Sequence, residues 1–149
     1  MKKPQDKRRD KGCAIPLKLQ PEKYICQNHV GMPAALYLEE FGSQVWSAFG
    51  TLPYLVGSAT FFKEWRDVDV RLILDDAEYA RLGLGDPVRA CTNAKWAALC
   101  MAFSALGTKM TGLPIDFQIQ QRTYANEQYN RPRLALGLVG LRLETKECE

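Results

Sequence analysis

The chain has 149 residues, of which 46% are hydrophobic and 25% charged. That size and composition suit one domain with a real core and exclude a charge-dominated, coreless chain. The net charge of +3 excludes a strongly basic nucleic-acid-binding body, and no apolar run of about 18 residues exists to predict a membrane helix.

In chain order, the first feature is a basic tail. Residues 1–11 hold Lys2, Lys3, Lys7, Arg8, Arg9 and Lys11 against Asp6 and Asp10, leaving 14 basic and 15 acidic residues in the remainder. Residues 1–12 read as a disordered basic tail and 13–149 as a single domain. Such a tail offers weak, non-specific contact with nucleic acid, or merely keeps the terminus soluble. No apolar segment follows it as a secretory leader requires. The five cysteines (Cys13, Cys26, Cys91, Cys100 and Cys148) are odd in number and irregular in spacing. Together these features predict a reduced, cytoplasmic protein. Cys13, Cys26 and His29 fall one ligand short of a structural zinc set.

Pro33 suits the first turn of a helix running to about residue 49, with Leu36, Tyr37, Phe41, Val45, Trp46 and Phe49 at helical spacing and Gly50 at its end. Tyr37, Phe41, Trp46 and Phe49 read as core. A short strand over 52–56 follows, broken by Gly57-Ser58, with a helical turn expected within 59–65. Residues 67–74 form the clearest strand. Its even positions, Val68 to Leu74, are apolar, so period-2 alternation puts Asp67, Asp69 and Arg71 together on the opposite face. A short helix to Leu82 and a Gly/Pro loop lead to a long helix over 88–106, closed by Gly107 and holding Cys91 and Cys100 as small core residues. Residues 114–120 are a strand with Ile115, Phe117 and Ile119 on one face and Asp116, Gln118 and Gln120 on the other. A short helix over 121–129 and an extended segment from Arg131-Pro132-Arg133 complete an α/β (α+β) domain, a small mixed sheet flanked by helices.

The chemistry concentrates in Gly57, Ser58, Asp67, Asp69 and Asp116. Three carboxylates brought together repel one another unless a cation neutralises them, and a hard divalent ion such as Mg²⁺ takes oxygen ligands of this kind. A glycine at a strand end lets backbone approach a phosphate closely, and the Ser58 hydroxyl adds a donor. Lys63 and Arg66, between Ser58 and Asp67, are candidates to reach phosphates or are plain exposed charges. Arg71 shares the aspartates' face, either as their counter-charge or as a substrate contact.

Leu55-Val56-Gly57-Ser58, eight residues, then Asp67-Val68-Asp69-Val70, and later Ile115-Asp116-Phe117, resemble the signature of the DNA polymerase beta-like nucleotidyltransferase superfamily. The gap lies at the short end of that pattern. The longer stretches 65–72 and 110–117 also resemble small bacterial and phage members, and the likeness spans about residues 33–120. It implies a nucleotidyltransferase-like fold and a metal-dependent transfer of a nucleoside monophosphate from an NTP to a hydroxyl, releasing pyrophosphate. Gly57 and Ser58, with Lys63, Arg66 and Arg71, would meet the nucleotide. Asp67 and Asp69 would hold two ions, Mg²⁺ or Mn²⁺, and Asp116 the catalytic one, helping to orient or deprotonate the acceptor. The acceptor is open: a small molecule, an RNA end or a protein. Minimal members lack an acceptor-binding helical domain and can work with a partner protein, as in toxin–antitoxin pairs, or as homo-oligomers. The alternative is a non-catalytic nucleotide-binding or interaction protein on the same fold.

Overall fold

The computed structural model describes residues 26–138. The basic tail, Cys13 and Cys148 lie outside those residues. Among the described residues no helix is long and apolar enough to cross a membrane.

Helix α1 spans Ala34–Phe49, with Pro33 one residue ahead of it and Gly50 ending it in the left-handed region. Leu38, Phe41, Gly42 and Val45 form its buried stripe at spacings of three and four, as an amphipathic helix requires. Of the aromatic set read as core, Phe41 is fully buried, whereas Tyr37 lies half exposed on the outer face. Strand β1 is only Tyr54–Val56, shorter than its apolar run, because Pro53 lacks an N–H for the ladder. A 3₁₀ turn, Ser58–Thr60, follows. Residues 27–29 brace it: the amides of Gln27 and His29 donate to the carbonyls of Thr60 and Ala59.

Strand β2 (Val68–Leu74) and strand β3 (Ile115–Gln121) alternate as their patterns predict, with Val68, Val70, Leu72, Ile115, Phe117 and Ile119 buried. Between them lie α2 (Asp76–Arg81), a 3₁₀ turn (Pro87–Thr92) and α3 (Ala94–Thr111). The long helix thus starts later and ends later than its apolar pattern suggests. Asn93 is extended, and its side chain accepts from the Trp96 amide at 2.9 Å, so it caps the helix and separates it from the preceding turn. At the other end Gly112, at φ 71°, is the left-handed cap. Gly107 instead sits inside the helix, where a Cβ would lie 3.0 Å from Phe41 and 3.1 Å from Ile115. It is a packing glycine and does not close the helix. Cys91 falls on the exposed turn and is not a core residue, while Cys100 is buried in α3.

Helix α4 (Arg122–Gln128) and a two-residue strand β4 (Leu134–Ala135) complete the chain. The sheet order is β3-β2-β1-β4, with β2 and β3 parallel and β1 antiparallel to both β2 and β4. The domain is therefore a mixed α/β fold. Helices α1 and α3 cover one face of the sheet, where Phe41 meets Phe117 edge-on at 6.1 Å and Phe103 stacks on Phe117 at 5.2 Å. Burying side chains of this size contributes roughly 1.5–3 kcal/mol each. The opposite face carries the polar residues of β2 and β3, together with Ile73, which is buried there and breaks the alternation of β2.

Candidate functional site

The site follows from strand register. Asp69 pairs with Val56 on β1 and with Asp116 on β3. Adjacent strands lie about 4.8 Å apart, so two carboxylates stand side by side on the open face. Asp67 precedes β2 by one residue, and Gly57 follows β1 directly beside Asp69.

Gly57 has φ 75° and ψ −156°, a region essentially closed to other residues. A Cβ there would run into Asp69 Oδ2. The Gly57 carbonyl accepts from the Thr60 amide and, at 2.7 Å, from the Thr60 hydroxyl, so the Gly57-Ser58 corner is locked from behind.

Arg71 occupies the centre. Its Nη2 donates to Asp69 Oδ1 and to Asp116 Oδ2, both at 3.0 Å. Its Nη1 donates to the Asp116 carbonyl at 2.7 Å and to the Val70 carbonyl at 3.2 Å. Only 14% of the side chain is exposed. A guanidinium can make this fan of bonds because its donors diverge in one plane; an ammonium cannot reach all four acceptors. Gln118 Nε2 also points at Asp116, 3.3 Å from Oδ2. Burial pushes the Asp69 carboxyl above its ordinary 3.8; Arg71 pulls it down, and contact with Asp116 and the charges of Asp116 and Asp67 raise it again. The net shift is upward, so the Arg71 charge does not fully offset burial, to which the neighbouring carboxylates add.

A cavity of about 710 Å³ opens onto this face. Gly57, Ser58, Asp67, Asp69 and Arg71 line one side of it, and the 128–133 loop lines the other. Three expected site residues do not line it. Lys63 and Arg66 are exposed, and Arg66 sits 3.6 Å from Asp67 with 83% of its side chain in solvent. Such a surface pair contributes about 0–1 kcal/mol and leaves Asp67 available. Asp116 reaches the site through Arg71. Gln118, Gln120, Tyr129 and Arg131 do line the cavity. Strand alternation already puts the two glutamines on this face; nothing in the local pattern marks Tyr129.

Carboxylates are the right donors for a hard divalent ion, and Asp67, Asp69 and Asp116 sit at one end of the sheet. As arranged, however, Arg71 fills the space between Asp69 and Asp116. Among the described residues no group of three or more His, Cys, Asp or Glu side chains is set to hold a metal. In comparisons with known proteins, the chain matches no family model, no curated protein and no solved structure. The likeness to nucleotidyltransferases rests on the motif residues themselves.

Proposed function

We propose that this chain is a small nucleotidyltransferase-fold protein that binds a nucleoside triphosphate in the open-face cavity and transfers its nucleoside monophosphate to a hydroxyl acceptor. The observation that carries the reading is the register Val56–Asp69–Asp116, which brings the Gly57-Ser58 corner and the acidic residues to one end of the sheet. Gly57 and Ser58 would meet the phosphates, and Arg131 on the far wall supplies positive charge towards them. Asp67, Asp69 and Asp116 would hold Mg²⁺ or Mn²⁺, which would neutralise phosphate charge. Asp116 would orient the acceptor hydroxyl. Catalysis of this kind is largely positioning and charge neutralisation, which asks for no covalent intermediate on the protein.

A second reading has its own support. The Arg71 bridge already pairs with Asp69 and Asp116 and offsets one of their two charges, which favours a nucleotide-binding or interaction protein that carries out no transfer. One experiment separates the two. Calorimetry with ATP, GTP, CTP and UTP, each with Mg²⁺, should show binding by the wild type and none by the Asp67→Ala/Asp69→Ala variant. Transfer of label from α-labelled ATP to a component of a cell lysate supports the transferase. Binding without transfer supports a nucleotide-binding protein, and no binding to any nucleotide rejects the transferase and leaves only the interaction protein.

A further inference from the structure

The aspartate pair is held by a cation that belongs to the chain. Arg71 spends both terminal nitrogens on this task, and two of its four bonds go to backbone carbonyls, which fix where the guanidinium sits. It also lines the cavity, so the same group faces any anion that enters. Counting charges, Asp69, Asp116 and Arg71 sum to −1, and Asp67 brings the cluster to −2. A divalent ion alone gains little from carboxylates already paired at 3.0 Å. It gains much more once the guanidinium has left.

We infer that Arg71 is a resident counter-cation that a divalent ion must displace from Asp69 and Asp116, and that the released guanidinium then meets the anionic phosphates of the ligand. Ion and anion therefore enter as an exchange: the ion takes the carboxylates and the anion takes Arg71. Each makes the other bind more tightly, and neither binds well alone. This rests on the reading of the three aspartates as a divalent-ion site, and it adds the coupling and the residue that produces it.

The test needs no nucleotide and no turnover. Free Mn²⁺ is followed by electron paramagnetic resonance as it is titrated into wild type and Arg71→Met, with and without inorganic tripolyphosphate. Without tripolyphosphate, Arg71→Met should bind Mn²⁺ on the order of tenfold more tightly than wild type. Tripolyphosphate should tighten Mn²⁺ strongly in wild type and much less in the variant. Arg71→Lys keeps a charge but cannot bridge both aspartates, so it should fall between the two. It replaces Arg71→Met if circular dichroism shows that variant unfolded. Equal Mn²⁺ affinity across the series, tighter binding by wild type, or no Mn²⁺ binding by any of the three overturns the inference. If Mn²⁺ affinity does not change but ATP binds to wild type, the exchange is wrong and the nucleotide site stands. If the variant gains Mn²⁺ while wild type binds no nucleotide, the exchange holds and the proposed function falls.

Discussion

Gly57 shows how one residue can be demanded twice. Its backbone lies at φ 75° and ψ −156°, and the space where a Cβ would stand is filled by the Asp69 carboxylate. Gly57→Ala should therefore lower stability by about 1–3 kcal/mol, the usual cost of forcing a side chain into such a conformation. It should also push Asp69 off Arg71 and weaken ATP binding. A urea titration alongside ATP calorimetry checks both effects; a variant as stable as wild type would show that the corner bends freely. The Gly57-Ser58 and Asp67–Asp69 motif is legible in sequence because alternation along a strand assigns faces without any tertiary information. What Arg71 does is only half legible. Alternation puts it with the aspartates, but whether it pairs with them depends on β3 lying parallel to β2 with Asp116 opposite Asp69, which no local pattern encodes.

At the scale of elements, patterns that depend on one segment survive and boundaries that depend on two do not. The apolar period of α3 runs back through the Pro87–Thr92 turn, so it hides the Asn93 cap. Ser104 interrupts the same apolar run, and its reason lies across the interface. Its Oγ accepts from the Phe117 amide at 2.9 Å, and Thr108 accepts from Ile115. Strand β3 is at the sheet edge, so these hydroxyls serve amides that would otherwise lack strand partners. Helices α2 and α4 are joined in a similar way. Asp76 accepts from the amide and hydroxyl of Thr123, and Asp75 pairs with Arg122. The Thr123 bonds hold the Asp76 carboxyl below its ordinary 3.8. A depressed folded value means the ionised form is favoured by folding. That stabilisation is present above 3.8 and is lost as the pH falls through the lower folded value. Asp76→Asn should therefore be less stable than wild type at neutral pH and should close that gap in acid. Urea midpoints measured across the acid range read the difference. A gap that widens in acid would contradict the assignment.

For the molecule as a whole, the cavity wall depends on how the chain returns after α4. The 128–133 loop lines the cavity, and the segment behind it is clamped at two places. The Leu136 amide donates to the Pro53 carbonyl at 2.9 Å, and the Gly137 amide donates to Glu39 Oε2 at 2.7 Å. The clamp needs close backbone approach. At Gly42, inside α1, a Cβ would lie 2.6 Å from the Gly137 nitrogen and 2.7 Å from the Leu136 Cβ. Sequence patterns do not reveal this contact, because Gly42 sits in a helical period and its partner is 95 residues away in the chain. Helix propensity alone favours Gly42→Ala by roughly 0.5–1 kcal/mol. The obstruction is backbone and a buried side chain, neither of which can step aside, and overpacking of that kind costs about 1–3 kcal/mol. The clash should win, so Gly42→Ala should be destabilised. Hydrogen exchange should quicken in residues 129–137, and ATP affinity should drop because Arg131 and Tyr129 lose their backing. Gly31→Ala, where a Cβ meets nothing within 4 Å, serves as the control and should match wild type in all three measurements. If Gly42→Ala gains stability instead, the return segment is held loosely, and the far wall of the cavity cannot be what positions the proposed nucleotide.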